Sequence, residues 1–270
     1  MADTEMQASK QNTALYTSTT GYGDQNVYSW EGRGANGMSL GIIELTANIP
    51  FAPGNVNNAS TFDFPVRYES LGEIDPHWVV SPEPHPEVTK RAITAAKKLE
   101  MFGCRAIMGN CGFFANYQPQ VAAEIGVPFF GSSLLQIPML LASMGPNQKV
   151  GVVTANGPAL ENAPALENSG VSSRDRLVIY GAEKEPEVAG NHLACTGALN
   201  LAKFESDLVN VSKRMLADHP DVGIVLLECT EFEPHAKAIQ DAVRKPVWGF
   251  TTMAEWIHQG LIRSEYTGWM

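Results

Sequence analysis

A chain of 270 residues with 44% hydrophobic and 18% charged residues has an ordinary globular composition and can bury a full core. Its formal charge of −10 excludes nucleic acid as partner, because phosphate recognition needs clustered Lys and Arg. No run of about 18 apolar residues occurs, which excludes a membrane-spanning helix, and four cysteines are too few for a disulfide framework.

Residues 1–38 are polar, rich in Gly, Ser and Thr and without period, and are expected as an extended, partly disordered arm. They hold no basic segment followed by an apolar one, so no secretory signal is expected and the chain is assigned to the cytoplasm, a reducing compartment. Asn58-Ala59-Ser60 and Asn210-Val211-Ser212 are then chance matches to a glycosylation pattern. The letters of Gly32 to Gly37 fit a dinucleotide-binding loop but precede the first strand, where the phosphate-cradling geometry is missing.

Regular structure starts with a buried strand over 39–46. A loop rich in Pro, Asn and aromatics follows over 49–86, long enough to point to a functional role. Beyond it the chain alternates: helix 88–102, strand 105–109, helix 116–125, strand 128–130, helix 134–144, strand 149–154, helix 159–168 and strand 177–180. The charged stretch 183–187 reads as a solvated loop. Helix 203–217, strand 222–227, helix 233–243, strand 247–249 and helix 253–261 complete the series. Such alternation defines an α/β fold with parallel sheets flanked by helices.

The two halves repeat. Cys111 precedes Pro128 by 17 positions and Gly131 by 20, and Cys229 precedes Pro246 and Gly249 by the same 17 and 20. Paired hydroxyls follow each glycine, Ser132-Ser133 and Thr251-Thr252, and each half opens with a strand ending in Thr-Ala-Asn, at Asn48 and Asn156. A duplicated architecture follows: an N-terminal half over 39–148 carrying Cys111, and a C-terminal half over 149–270 carrying Cys229. The last helix is free to pack back on the first half.

Both cysteines fall at the carboxyl end of a strand and before a helix, where ligands bind in parallel α/β folds and where the helix dipole favours a thiolate. Across a cleft, one thiolate can take a carbon-bound proton while the other thiol faces the opposite side of the substrate. Cys104 and Cys195 have no counterpart and read as inert core residues. The six histidines show no metal-ligand spacing. His235 reads as a core or surface residue rather than a modulator of Cys229. Glu231 reads equally as a substrate-orienting group and as an acceptor for a helix N-terminus.

Gly109-Asn110-Cys111-Gly112-Phe113 and Leu227-Glu228-Cys229-Thr230-Glu231 resemble the aspartate/glutamate/hydantoin racemase superfamily, over about residues 39–260. The resemblance implies two pseudo-symmetric α/β halves, one cysteine from each, no cofactor and no metal. Amino-acid racemases of that superfamily carry Cys-Asn-Thr at the first cysteine, whereas here Gly112 and Phe113 follow Cys111. GNCGFFANYQ over 109–118, GSSLLQIP over 131–138 and LLECTE over 226–231 instead resemble the Alma-type dimethylsulfoniopropionate lyases. The loop over 50–68 matches that branch more loosely, with Asn55 where the lyases tend to have Asp.

That branch implies β-elimination of dimethylsulfoniopropionate to dimethyl sulfide and acrylate, with Cys229 as base and Cys111 assisting or left over from a racemase. The substrate sulfonium would rest on aromatic faces, with Phe51, Phe62, Phe64, Tyr68, Phe113 and Phe114 as candidates. The substrate carboxylate would take backbone N–H groups and hydroxyls near Thr230, Ser132 and Ser133. Racemisation of an amino acid, hydantoin or related small acid is the alternative, and a catalytically silent small-acid-binding protein a third. Enzymes of this kind commonly assemble, so a homo-oligomer, dimer or tetramer, is expected.

Overall fold

The computed structural model describes residues 37–269. Apart from residues 37 and 38, the arm expected over 1–38 lies outside the described residues, as does most of the glycine-rich stretch within it. The first strand forms as expected, β1 (Leu40–Glu44). The segment after it is not the structureless loop the sequence implied, because an edge strand, β2 (Val66–Ser70), lies within it, parallel to β1. Its half-buried Arg67 and Glu69 break the apolar pattern by which a central strand is recognised.

Helix α1 (Pro86–Met101) starts with a proline whose missing N–H costs nothing there. It buries Val88, Ala92, Ala95, Ala96 and Leu99 along one face. Strands β3 (Ala106–Gly109) and β4 (Phe129–Phe130) complete the first sheet, and α2 (Gln118–Ala122) lies between them. Helix α3 (Ile137–Ser143) leads to the second half. There β5 (Lys149–Thr154), β6 (Leu177–Gly181), β7 (Val222–Leu227) and β8 (Val247–Trp248) build the second sheet. The expected helix over 159–168 is two short ones, α4 (Gly157–Asn162) and α5 (Ala165–Asn168), because Pro164 cannot continue the first. Helices α6 (Leu201–Asp218), α7 (Ala236–Val243) and α8 (Phe250–Leu261) follow.

The two sheets have the same parallel order, β2-β1-β3-β4 and β6-β5-β7-β8, so the repeat read from cysteine spacing is a repeat of topology. The order turns outward on either side of β1 and β3, and again of β5 and β7, which places a crevice at the carboxyl ends of those strands. Period-two alternation divides each strand between two cores. Val150, Val152, Ile224 and Leu226 join the core shared with α1 and α3, while Val153, Val225 and Leu227 face α6 and α7. Helix α8 packs Phe250, Met253, Ala254 and Ile257 on Leu40, Ile42 and Met108 of the first sheet. The halves thus exchange helices, α3 leaning on the second sheet and α8 on the first.

One packing device is repeated. A Cβ at Gly41 of β1 would meet Leu99 of α1 at 3.0 Å, and one at Gly151 of β5 would meet Met215 of α6 at 2.6 Å. Each helix sits on its sheet at a distance only glycine allows. None of the described helices is long and apolar enough to cross a membrane.

Candidate active site

Strands β3 and β7 each end two residues before a cysteine, and each cysteine opens a 3₁₀ turn, Gly112–Tyr117 or Thr230–His235. Helices were expected over 116–125 and 233–243, and the α-helical residues begin two to three positions later. Pro119 and Pro234 lack the N–H an α-helix would use at these points, so the α-helical stretch starts late and the chain enters by tighter turns.

The residue before each cysteine locks it to the neighbouring strand. Asn110 accepts the Leu45 N–H at 2.8 Å, and Glu228 accepts the Thr154 hydroxyl at 2.8 Å. The halves are joined directly behind the sulfurs. Thr230 Oγ1 donates to the Asn110 carbonyl at 2.7 Å, and Ser133 Oγ donates to the Leu227 carbonyl at 2.8 Å. These bonds hold the two cysteine turns against one another, and both Cys111 and Cys229 line one cavity of about 610 Å³, counted to its open mouth.

Cys229 is 7% exposed, and its Sγ donates to Glu231 Oε2 at 2.9 Å. His192 Nε2 stands 3.5 Å from the same carboxylate oxygen and 3.8 Å from Sγ. His192 arrives on a π-helical turn, Val188–His192, with its ring packed near Phe204 and Phe232. The turn is pinned by Glu187, which accepts from Asn191 Nδ2 and the Asn200 N–H while its own N–H reaches Asp207. The charged stretch 183–187 is therefore not wholly solvated, since its last residue is a buried pin. Nothing in the local sequence marks His192, because its place depends on a turn 37 positions upstream of Cys229.

Burial is the main cause that raises both thiols well above their ordinary range, with the Glu228 and Glu231 carboxylates adding to it. The N–H of Phe113 opposes the shift at Cys111. Burial would raise Glu231 as well, but the hydrogen bond and charge of His192 and the Cys229 thiol outweigh it and hold this carboxyl below its ordinary value. Glu228 is pushed up to about 7, chiefly by burial. Its Oε1 is buried without a hydrogen-bond partner among the described residues. The resting site therefore holds two protonated thiols, one ionised carboxylate and one carboxyl balanced near neutrality. Sγ of Cys229, Nε2 of His192 and a carboxylate oxygen of Glu231 lie within 4.8 Å of one another and could ligate a metal ion.

Of the substrate-binding residues expected from sequence, Glu231 and Phe113 line the cavity. Thr230, Ser132 and Ser133 do not offer free hydroxyls. Thr230 and Ser133 make the bonds between the halves, and Ser132 Oγ caps its own turn by accepting the Leu134 N–H. Asn156 caps α4, accepting the Ala159 N–H at 3.1 Å. Asn48 holds the rim, its side-chain Nδ2 donating to the Cys195 carbonyl and its backbone carbonyl accepting the Gly197 N–H. The aromatic cage is not assembled. Phe64 stacks on His258 at 3.8 Å between centroids, Phe62 leans on Phe64, and Tyr68 donates to the Val56 carbonyl. All three belong to the core under α8. Phe114 is wholly buried, and Phe51 is not among the lining residues.

Cys195 lines the cavity with its backbone in the left-handed region, φ 49°, whereas Cys104 is core as expected. His235 is buried, with Nδ1 3.1 Å from Glu205 and its ring packed near Phe204, and it is not among the cavity-lining residues.

The fold is similar to that of solved racemase homologues and of arylmalonate decarboxylase. An aspartate racemase homologue from Pyrococcus horikoshii superposes with a TM-score of 0.53 at 20% identity, covering 82% of this chain and 97% of that one. A liganded mutant of arylmalonate decarboxylase gives 0.53 at 16% identity, covering 83% and 92%. The sequence itself is similar to dimethylsulfoniopropionate lyases. One from Durusdinium sp. clade D is 27% identical, over 83% of this chain and 75% of its own. Dimethylsulfoniopropionate lyase 3 of Emiliania huxleyi is 30% identical over 81% of this chain and 58% of its own. This chain spans between 45% and 75% of the length of the curated dimethylsulfoniopropionate lyases it matches. No family model matches it. The resemblance read from the two cysteine motifs is borne out in both respects, fold and branch.

Proposed function

We propose that the protein is a cofactor-independent carbon–sulfur lyase that eliminates dimethyl sulfide from dimethylsulfoniopropionate, with Cys229 as the base. The observation that carries this reading is the charge of the cavity. Two carboxyl groups, Glu228 and Glu231, line it beside the cysteines, and no Lys or Arg is among its described lining residues. A dicarboxylic amino acid would bring a second negative charge beside Glu231, whose one neighbouring imidazole, His192, already serves that carboxylate. A zwitterion with a sulfonium centre compensates the acids already present. Similarity to dimethylsulfoniopropionate lyases supports the same substrate.

The chemistry follows from the proton positions. Cys229 passes its thiol proton to Glu231, which His192 keeps ionised. The sulfonium charge offsets the two acids and so favours the thiolate at the moment substrate is bound. Sγ takes the proton next to the substrate carboxylate, the carbon–carbon double bond forms, and the bond from the β-carbon to sulfur breaks with its electrons leaving on neutral dimethyl sulfide. The substrate carboxylate lies against backbone N–H groups of the cysteine turns. Cys111 stands on the other face and assists without taking the proton. Four free thiols suit a reducing compartment, and a cytoplasmic homo-oligomer completes the reading.

Incubation with dimethylsulfoniopropionate should release dimethyl sulfide and acrylate in equal amounts. Failure of that release, together with deuterium exchange at the α-carbon of aspartate, glutamate or a hydantoin, would replace the lyase with a racemase.

A further inference from the structure

The Cys229, His192 and Glu231 cluster offers one sulfur, one imidazole nitrogen and one carboxylate oxygen at separations of 2.9, 3.5 and 3.8 Å. Tetrahedral zinc, with bonds of about 2.3 Å to sulfur and about 2.0–2.1 Å to nitrogen and oxygen, sets such donors roughly 3.3–3.6 Å apart. Two of the three spacings already lie within a few tenths of an ångström of that range. The short one, from Sγ to Oε2, is the distance of a thiol hydrogen bond, and it opens once the thiol proton leaves and a cation takes its place.

We infer that Cys229, His192 and Glu231 form a binding site for a thiophilic divalent cation such as zinc. The donor set is the mixed sulfur, nitrogen and oxygen type that zinc accepts. The three side chains come from the turn at β7's carboxyl end and from the π-helical turn that faces it, and Cys229 and His192 are themselves buried, so these donors are held in place before a cation arrives. All three line the cavity, which leaves the fourth position open for water or for a carboxylate from a small molecule. Binding exchanges the Sγ–H bond for an Sγ–metal bond, so the thiol proton leaves to solvent, and His192 gives up the Nε2 proton it shares with Glu231 so that its lone pair can reach the cation. His192 takes part through Nε2, so its ring proton sits on Nδ1.

A consequence rests on the lyase reading. The sulfur that holds the cation is the sulfur proposed as base, so metal binding and elimination exclude one another. Zinc then acts as a reversible inhibitor that chelation relieves. The binding itself needs only the three side chains and stands or falls without any substrate.

Titration of the purified, reduced chain with Co²⁺ tests it. The expected result is one cobalt per chain, a near-ultraviolet thiolate-to-cobalt charge-transfer band, and displacement of that band by Zn²⁺. Cys229→Ser should abolish the band, His192→Gln should weaken cobalt affinity at least tenfold, and Cys195→Ser should leave the band intact. Absence of the band in the unaltered chain overturns the site. So does a band that survives in Cys229→Ser or is lost in Cys195→Ser. Should Cys229→Ser fail to fold, as judged by circular dichroism, His192→Gln and Glu231→Gln carry the same test. Zinc inhibition of dimethyl sulfide release, reversed by a chelator, is read separately. Binding without inhibition would retain the metal site and remove Cys229 as the base.

Discussion

Gly112 and Glu228 share one position between the halves. A Cβ built on Gly112 would lie 1.8 Å from Glu228 Oε1, so the acid before the second cysteine occupies the space of a side chain after the first. The departure from Cys-Asn-Thr at Cys111 is thereby explained as the complement of a carboxyl group placed from the other half. Gly112→Ala should destabilise the fold by about 1–3 kcal/mol, the usual cost of overpacking. Glu228→Ala in the same chain should recover most of that loss, because the two sites are coupled. Thermal melts of the two single variants and the double variant measure the coupling, and additive losses would show that the contact is not real.

Cys229 and Glu231 form the only thiol–carboxylate hydrogen bond among the described residues. If Glu231 takes the thiol proton, Glu231→Gln should reduce dimethyl sulfide release by roughly 10²–10⁴, the usual worth of a positioned proton acceptor. Cys229→Ala should reduce it further still, while Cys111→Ala should cost much less. Equal losses at the two cysteines, measured as kcat/KM, would restore a symmetric two-base mechanism.

The fold was legible because its repeat is written in spacing. Cys111 and Cys229, with their following Pro and Gly, predicted two like sheets, and the sheets have one order. The site was legible only where it follows from strand ends. His192 depends on a turn pinned by Glu187 and Asp207, long-range contacts without a periodic signature. Asn48, Asn156, Ser132 and Ser133 sit at strand ends as predicted, but residue type does not reveal that their polar atoms are already spent on capping and bridging. Strand β2 escaped notice because an edge strand can carry Arg67 and Glu69 without cost.

The aromatic residues separate two accounts of sulfonium binding. With Phe62, Phe64 and Tyr68 in the core under α8, Phe62→Leu should leave KM for dimethylsulfoniopropionate within about twofold while lowering stability by about 1 kcal/mol. Glu228→Gln removes a carboxyl from the cavity wall and should raise KM by about tenfold, on the order of 1.4 kcal/mol. A large KM effect at Phe62 with none at Glu228 would return the cation to an aromatic cage.

Stability should fall as the solution passes from mildly acidic to neutral. Glu228 and Glu233 are both pushed up to about 7, in each case chiefly by burial. Glu233 caps α8, accepting the Phe250 N–H and the Thr251 hydroxyl. A carboxyl of ordinary value 4.5 in the unfolded chain releases its proton earlier than these two do in the fold. Between those values the native state binds more protons, so its advantage is complete below about 4.5 and is lost as pH rises through about 7. The lowered carboxyls Glu87, Glu124, Glu167, Asp221 and Glu231 act in the opposite sense, but their contribution is complete once pH exceeds their ordinary values of 3.8 to 4.5. His258, lowered by burial, opposes the decline only up to about its ordinary value of 6.5. Between pH 6 and 8, below the range in which unfolded thiols ionise, the melting temperature should therefore decline. Glu233→Gln keeps an acceptor for Phe250 and removes one titration, so its profile should be flatter by an amount on the order of 2 kcal/mol. A wild-type profile that rises over this interval, or one whose slope Glu233→Gln leaves unchanged, would show that the buried acid is ionised in the fold.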